Sequence, residues 1–249
     1  MNQTTQKTLY DASHEHDACG IGFIATLKGK KSHEIIRNAI SMLENMEHRG
    51  ATGFEVNTGD GAGVLIQMPH QFFKEESEKI GITLPEYGKY GVGMVFFPKD
   101  VKLREDARRI LNNNIEELGL ELLGYRSVPC NKNGIGETAL SVEPKVEQCF
   151  VTGKNLSSDE LERKLFVLRN WSEHSFTKRY PSEKDHFYFA SFSYKNIIYK
   201  GQLTTYQVRQ YFHDLNDERM VSAFAMIHSR FSTNTFPKWK LAQPFRYIA

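Results

Sequence analysis

The chain has 249 residues, 40% hydrophobic and 25% charged, with 32 Lys and Arg against 30 Asp and Glu for a net charge of +2. These proportions exclude wholesale disorder, and basic residues cluster only at Lys28, Lys30 and Lys31, which leaves no nucleic-acid footprint. Three cysteines without Cys-x-x-Cys spacing exclude a disulfide framework or zinc ribbon; with no apolar run near the ~20 residues of a membrane span and no secretory signal, a cytoplasmic chain is expected.

Residues 1–18 are polar and offer nothing to pack. From Gly20 to Leu27 the pattern turns apolar in strand style. Ile35, Ile36, Ala39, Ile40, Leu43 and Met46 then fall on one helical face, with Gly50 as the expected C-terminal stop. The glycine loop "NTGDGAG" leads into the short strand "VLIQM". "YGVGMVFF" (Tyr90 to Phe97) reads as a buried strand, followed by a helix through Leu103, Ala107, Ile110, Leu111, Ile115 and Leu118. Leu120 to Val128 and Val146 to Thr152 read as strands. Ser157 with Glu160 spells a capping box before a helix through Leu161, Leu165, Leu168 and Trp171. "FYFASFSY" and "NIIYKG" read as a strand pair, and Thr204 with Gln207 as a second capping box opening a helix through Leu215. "VSAFAMIHSRF" is the last strong strand. Strands following one another without helices favour a single α+β domain of sheets with helices layered outside.

Several motifs invite chemistry. Cys19-Gly20-Ile21-Gly22 and Gly59-Asp60-Gly61-Ala62-Gly63 resemble phosphate loops but lack the full Gly-x-Gly-x-x-Gly spacing, so tight turns and close backbone approach are expected instead. His14-x-His16-Asp17-x-Cys19 has the residue types of a zinc site, but it lies in a polar tail rather than on rigid, separated elements, and no metal is expected. Cys19 has three readings. It is a buried structural thiol, a nucleophile served by His48 or His228, or, with residues 1–18 removed, a nucleophile at the chain terminus. In the third case its own α-amine, with a reference pKa of about 7.7–8.0, takes the thiol proton.

"CGIGFIA" (19–25), "MEHRGATG" (46–53), "TGDGAG" (58–63) and "HSRFSTNTFPKWKLAQPFRYIA" (228–249) together resemble the amidotransferase domain at the N-terminus of glutamate synthase large subunits, a branch of the class II glutamine amidotransferases. The resemblance implies the four-layer αββα sandwich of N-terminal-nucleophile hydrolases, incomplete at the C-terminal side, with 1–18 as a propeptide and 19–249 as the first part of the domain. It implies Cys19 as nucleophile and Arg49, with Gly50, buttressing its strand. Arg230 would clamp the glutamine α-carboxylate with a guanidinium fork. His228, Ser232 and Thr233 would line the pocket, while Phe231 packs inward. In the family the next residues, His-Asn-Gly-Glu, supply the oxyanion hole, so the quoted chain by itself is expected to be nearly inactive. The activity implied is glutamine hydrolysis through a thioester. The ammonia would serve reductive amination of 2-oxoglutarate elsewhere in the synthase, where FMN and an iron–sulfur cluster reside, with a small reductase subunit as partner. No cofactor, nucleic acid or membrane is implied for these residues. The alternatives are another class II amidotransferase, or a non-catalytic glutamine-binding module if the leader stays in place.

Overall fold

The computed structural model describes residues 19–51, 55–232 and 235–246. The leader, with His14, His16 and Asp17, and also Thr233, lies outside the described residues.

Among the described residues, eight strands form two antiparallel sheets. The first takes the order β1 (Gly20–Ala25), β8 (Phe224–Ser229), β2 (Ala62–Gln67) and β7 (Asn196–Gly201). The second takes the order β4 (Glu121–Ser127), β5 (Lys145–Thr152), β3 (Tyr90–Phe97) and β6 (Tyr188–Ser193). Helices α1 (His33–Glu44), α2 (His70–Glu78), α3 (Val101–Glu117), α4 (Glu137–Ser141), α5 (Ser158–Arg179) and α6 (Gln207–Tyr211) connect them. The α+β class expected from the sequence is the class observed.

Strand β3 shows why the layers stack as they do. Its side chains alternate between two apolar environments, so it is buried on both faces. Val92, Met94 and Phe96 share a core with Val64 and Ile66 of the first sheet. Val95 and Phe97 face the opposite way, into a second core built from Leu111 of α3 and Leu165 and Leu168 of α5. Helix α1 packs against the Gly20–Gly22 side of β1. A Cβ at Gly22 would lie 3.0 Å from Met42 Cε of α1 and 2.8 Å from Met46 Cε just beyond it, so the bare backbone leaves room for these methionine tips. The other side of β1 leaves Ile21 and Phe23 61% and 68% exposed.

The Ser157–Glu160 capping box forms in both directions, and α5 runs past Trp171 to Arg179 because the apolar stripe continues through Phe176. Helix α1 ends at Glu44. A separate 3₁₀ turn, Glu47–Arg49, follows and is closed by Gly50 in an extended conformation, so Gly50 is not a left-handed helix cap. Strands β6 and β7 are consecutive but do not pair, since they lie at edges of different sheets; the link between them is Ser191 Oγ accepting the Ile198 N–H at 3.1 Å. At the second capping box only the Gln207 side chain engages, accepting the Thr204 N–H at 2.9 Å, and α6 stops at Tyr211 before a 3₁₀ turn carries Leu215.

Candidate active site

Strand pairing assembles the site. β1 and β2 both pair with β8, which sets Gly20 and Ala62 on either side of Ser229. The residue before β1, the loop before β2 and the residues after β8 therefore converge. Cys19 thus meets Phe231, 212 residues away, whose N–H donates to Sγ at 3.3 Å while its carbonyl lies 3.6 Å from the same sulfur.

Arg230 is buried beside this contact. Its Nη1 donates to the Asp60 carbonyl at 3.3 Å, its Nη2 to Thr235 Oγ1 at 2.6 Å, and its backbone N–H to Gly61 O at 2.8 Å. The Ser232 N–H donates to Asp60 Oδ2 at 2.6 Å, and its hydroxyl donates to the Thr235 carbonyl. Asp60 is itself buried, and burial raises its pKa against the opposing pull of the Ser232 N–H and the Arg230 charge. Arg49 lies over the first residue of β1, where a Cβ at Gly20 would come within 3.0 Å of Arg49 Cβ. A Cβ at Gly50 would sit 2.5 Å from Ser229 Oγ, so the turn after Arg49 packs directly on the end of β8. A small cleft lined by Gly50, Asp60, Thr205, Ser229 and Arg230 opens at this point. Wider clefts, one bordered by Phe97, Pro144 and Trp239, lie away from Cys19.

His228 stands opposite Ile21 on one side and Gly63 on the other, on the face of β8 turned away from Ser229. It is 3% exposed, and its Nδ1 has no hydrogen-bond partner among the described residues. Burial, reinforced by the charges of Arg230 and Lys200, lowers its pKa to about 4. A histidine held neutral while the unfolded chain titrates near 6.5 makes stability fall as pH drops through 6.5, and the loss levels off near 4. Those 2.5 pH units are worth about 3 kcal/mol. Urea unfolding of the wild type between pH 7 and pH 4 should show this loss, and His228→Gln should remove most of it. An acid branch of equal depth in the variant would contradict the assignment.

The predicted residues Cys19, Arg49, Gly50, Arg230 and Ser232 are therefore brought together, while His228 points to the adjoining buried face. Phe231 is half-buried rather than packed inward, and its backbone, not its ring, meets Cys19. Asp60 and Thr235 were not singled out from sequence. The only signal for Asp60 is that it is the one acid inside a glycine loop.

A family model described as "Glutamine amidotransferases class-II" matches residues 19–249. The chain is 47% identical over 242 residues to the glutamate synthase [NADPH] large chain of Bacillus subtilis, covering 96% of this chain and 16% of that one. It is 44% identical over 250 residues to glutamate synthase [NADH] of Schizosaccharomyces pombe, covering 98% and 12%. It is 40% identical over 242 residues to the chloroplastic ferredoxin-dependent glutamate synthase of Spinacia oleracea, covering 96% and 15%. The chain thus spans 12 to 16% of the length of these relatives.

Proposed function

The chain belongs to the class-II glutamine amidotransferases, and on that premise we propose that it hydrolyses L-glutamine to glutamate and ammonia with Cys19 as the nucleophile. The observation that supports this reading is the meeting of Cys19 Sγ with the Phe231 N–H, beside the buried Arg230 guanidinium. Removal of residues 1–18 frees the Cys19 α-amine. That amine accepts the thiol proton, and the thiolate attacks the side-chain amide carbon. The C–S bond forms as the carbonyl π pair moves to oxygen. The ammonium then gives its proton to the amide nitrogen, the tetrahedral species collapses, and the C–N bond breaks to release ammonia. Water cleaves the resulting γ-glutamyl thioester, releasing glutamate and restoring the thiol. Arg230 pairs with the glutamine α-carboxylate, Ser232 lines the pocket beside it, and Arg49 with Gly50 holds the nucleophile strand.

In the longer protein that the coverage of the relatives implies, the ammonia serves reductive amination of 2-oxoglutarate, with FMN and an iron–sulfur cluster carrying the electrons and a small reductase subunit as partner. The described residues do not assemble a cluster's donor set. Cys149 is buried within β5, Cys130 forms an isolated bridge to Phe212, and Cys19 sits before β1.

An electrophilic glutamine analogue bearing a diazoketone tests the assignment. Burial pushes the Cys130 thiol up to about 12 and the Cys149 thiol up as well, so neither competes near neutrality. One adduct, on Cys19, is expected by peptide mass mapping. An adduct on Cys130 or Cys149, or none on Cys19 in a protein that releases ammonia, contradicts it.

A further inference from the structure

We infer that Asp60 is a positioning residue for the nucleophile: its carboxylate, by holding the Ser232 N–H, fixes the 230–232 turn so that the Phe231 N–H faces Cys19 Sγ. The inference rests on the reading of Cys19 given above.

Asp60 joins three separate segments of the chain. Its own N–H donates to the Ala51 carbonyl at 2.9 Å, which ties it to the turn after Arg49. Its carbonyl accepts from Arg230 Nη1 at 3.3 Å, and its Oδ2 accepts from the Ser232 N–H at 2.6 Å. The neighbouring residues extend the same seam, with Arg230 N–H on the Gly61 carbonyl at 2.8 Å and Ala51 N–H on the Arg230 carbonyl at 3.4 Å. Phe231 lies between the two residues thus held, and its N–H is the donor that reaches Sγ at 3.3 Å.

The chemistry explains why an acid stands there. Among the described residues the 230–232 segment has no strand pairing past Ser229; the Arg230 N–H still finds the Gly61 carbonyl, but those of Phe231 and Ser232 need acceptors of another kind. A buried carboxylate accepts such an N–H more strongly than a neutral oxygen does. Burying a carboxylate at 5% exposure costs free energy unless it is hydrogen-bonded, which locks the two groups together. The glycines on both sides of Asp60 allow the loop to run close to β7 and to the segment after β8. At Gly59 a Cβ would lie 2.2 Å from the Leu203 carbonyl oxygen.

The test uses the mature protein expressed from its complete gene and measures the alkylation rate of Cys19 by iodoacetamide at fixed pH, alongside glutaminase kinetics. Asp60→Ala should slow alkylation and lower kcat by about tenfold each, the factor carried by one hydrogen bond, with KM for glutamine changed less than about twofold. Asp60→Asn should recover part of both, because the amide oxygen still accepts the Ser232 N–H, more weakly than the carboxylate does. A purely structural acid would not give this pairing of a kcat effect with rescue by the isostere. Wild-type alkylation in folded Asp60→Ala, or Asp60→Asn as slow as Asp60→Ala, overturns the inference. If the alanine variant does not fold, Asp60→Glu takes its place, since the longer arm displaces the carboxylate; slowed alkylation is expected and the wild-type rate overturns it. Failure of the Cys19 reading itself shows separately, as hydrolysis that survives Cys19→Ser with Asp60 intact.

Discussion

Cys19→Ser is expected to lower glutamine hydrolysis by on the order of 10³-fold or more while glutamine binding is largely retained. A serine hydroxyl is far less acidic and less nucleophilic than a thiol, so in a site arranged around sulfur the same amine yields a much slower attack on the amide. Binding depends on other groups. The Arg230 guanidinium, anchored on the Asp60 carbonyl and Thr235 Oγ1, does not rely on the sulfur for its position. Ammonia release and calorimetric titration with glutamine, run on the same variant, separate the two effects. Hydrolysis at more than about a tenth of the wild-type rate would remove Cys19 from the chemistry.

The second large effect lies in the fold. Arg126 on β4 reaches Asp214 with both Nη atoms at 2.8 Å, and Asp214 also accepts from Tyr199 Oη at 3.0 Å. Gln148 joins them, its Oε1 2.7 Å from Arg126 Nη1. All four residues are buried. Burial by itself would lower the Arg126 pKa, and the Asp214 carboxylate more than offsets this and holds the guanidinium charged. The network ties β5 and β4 of the second sheet to β7 of the first. Asp214→Ala leaves the buried Arg126 cation with no carboxylate nearer than Glu76 at 3.8 Å and takes away the acceptor of the Tyr199 hydroxyl, and should cost about 3 kcal/mol by urea denaturation. Arg126→Met with Asp214→Leu should cost less than Asp214→Ala alone, since no charge is left unpaired. A loss under about 1 kcal/mol for Asp214→Ala would show that water or another acid replaces the pair.

What could be read in the sequence was what short-range physics determines. The uninterrupted apolar run at β3 announces a strand buried on both faces, and Ser157 with Glu160 marks where α5 begins. Helix α2 was missed because its only apolar anchors, Phe72 and Phe73, are adjacent and give no period, and Pro69 provides no side-chain cap. The separation of β6 from β7 was equally hidden. Two strands joined by a tight turn look like a hairpin, and only long-range pairing to β3 and β2 assigns them to different sheets. The same division holds at the site. The blocks containing Cys19, Arg49 and Arg230 stand out in the sequence. Their meeting depends on β8 pairing with both β1 and β2, which no local pattern encodes. In the sequence Asp60 reads as part of a turn, because its partner Ser232 lies 172 residues away.

The proposed mechanism has Cys19 working from a chain terminus, with its own amine as base. Intact mass and N-terminal sequencing of the protein expressed from its complete gene test it most directly. A mature chain beginning at Cys19 is the predicted result. A chain still beginning at Met1 or Asn2 leaves that amine locked in a peptide bond and contradicts the mechanism.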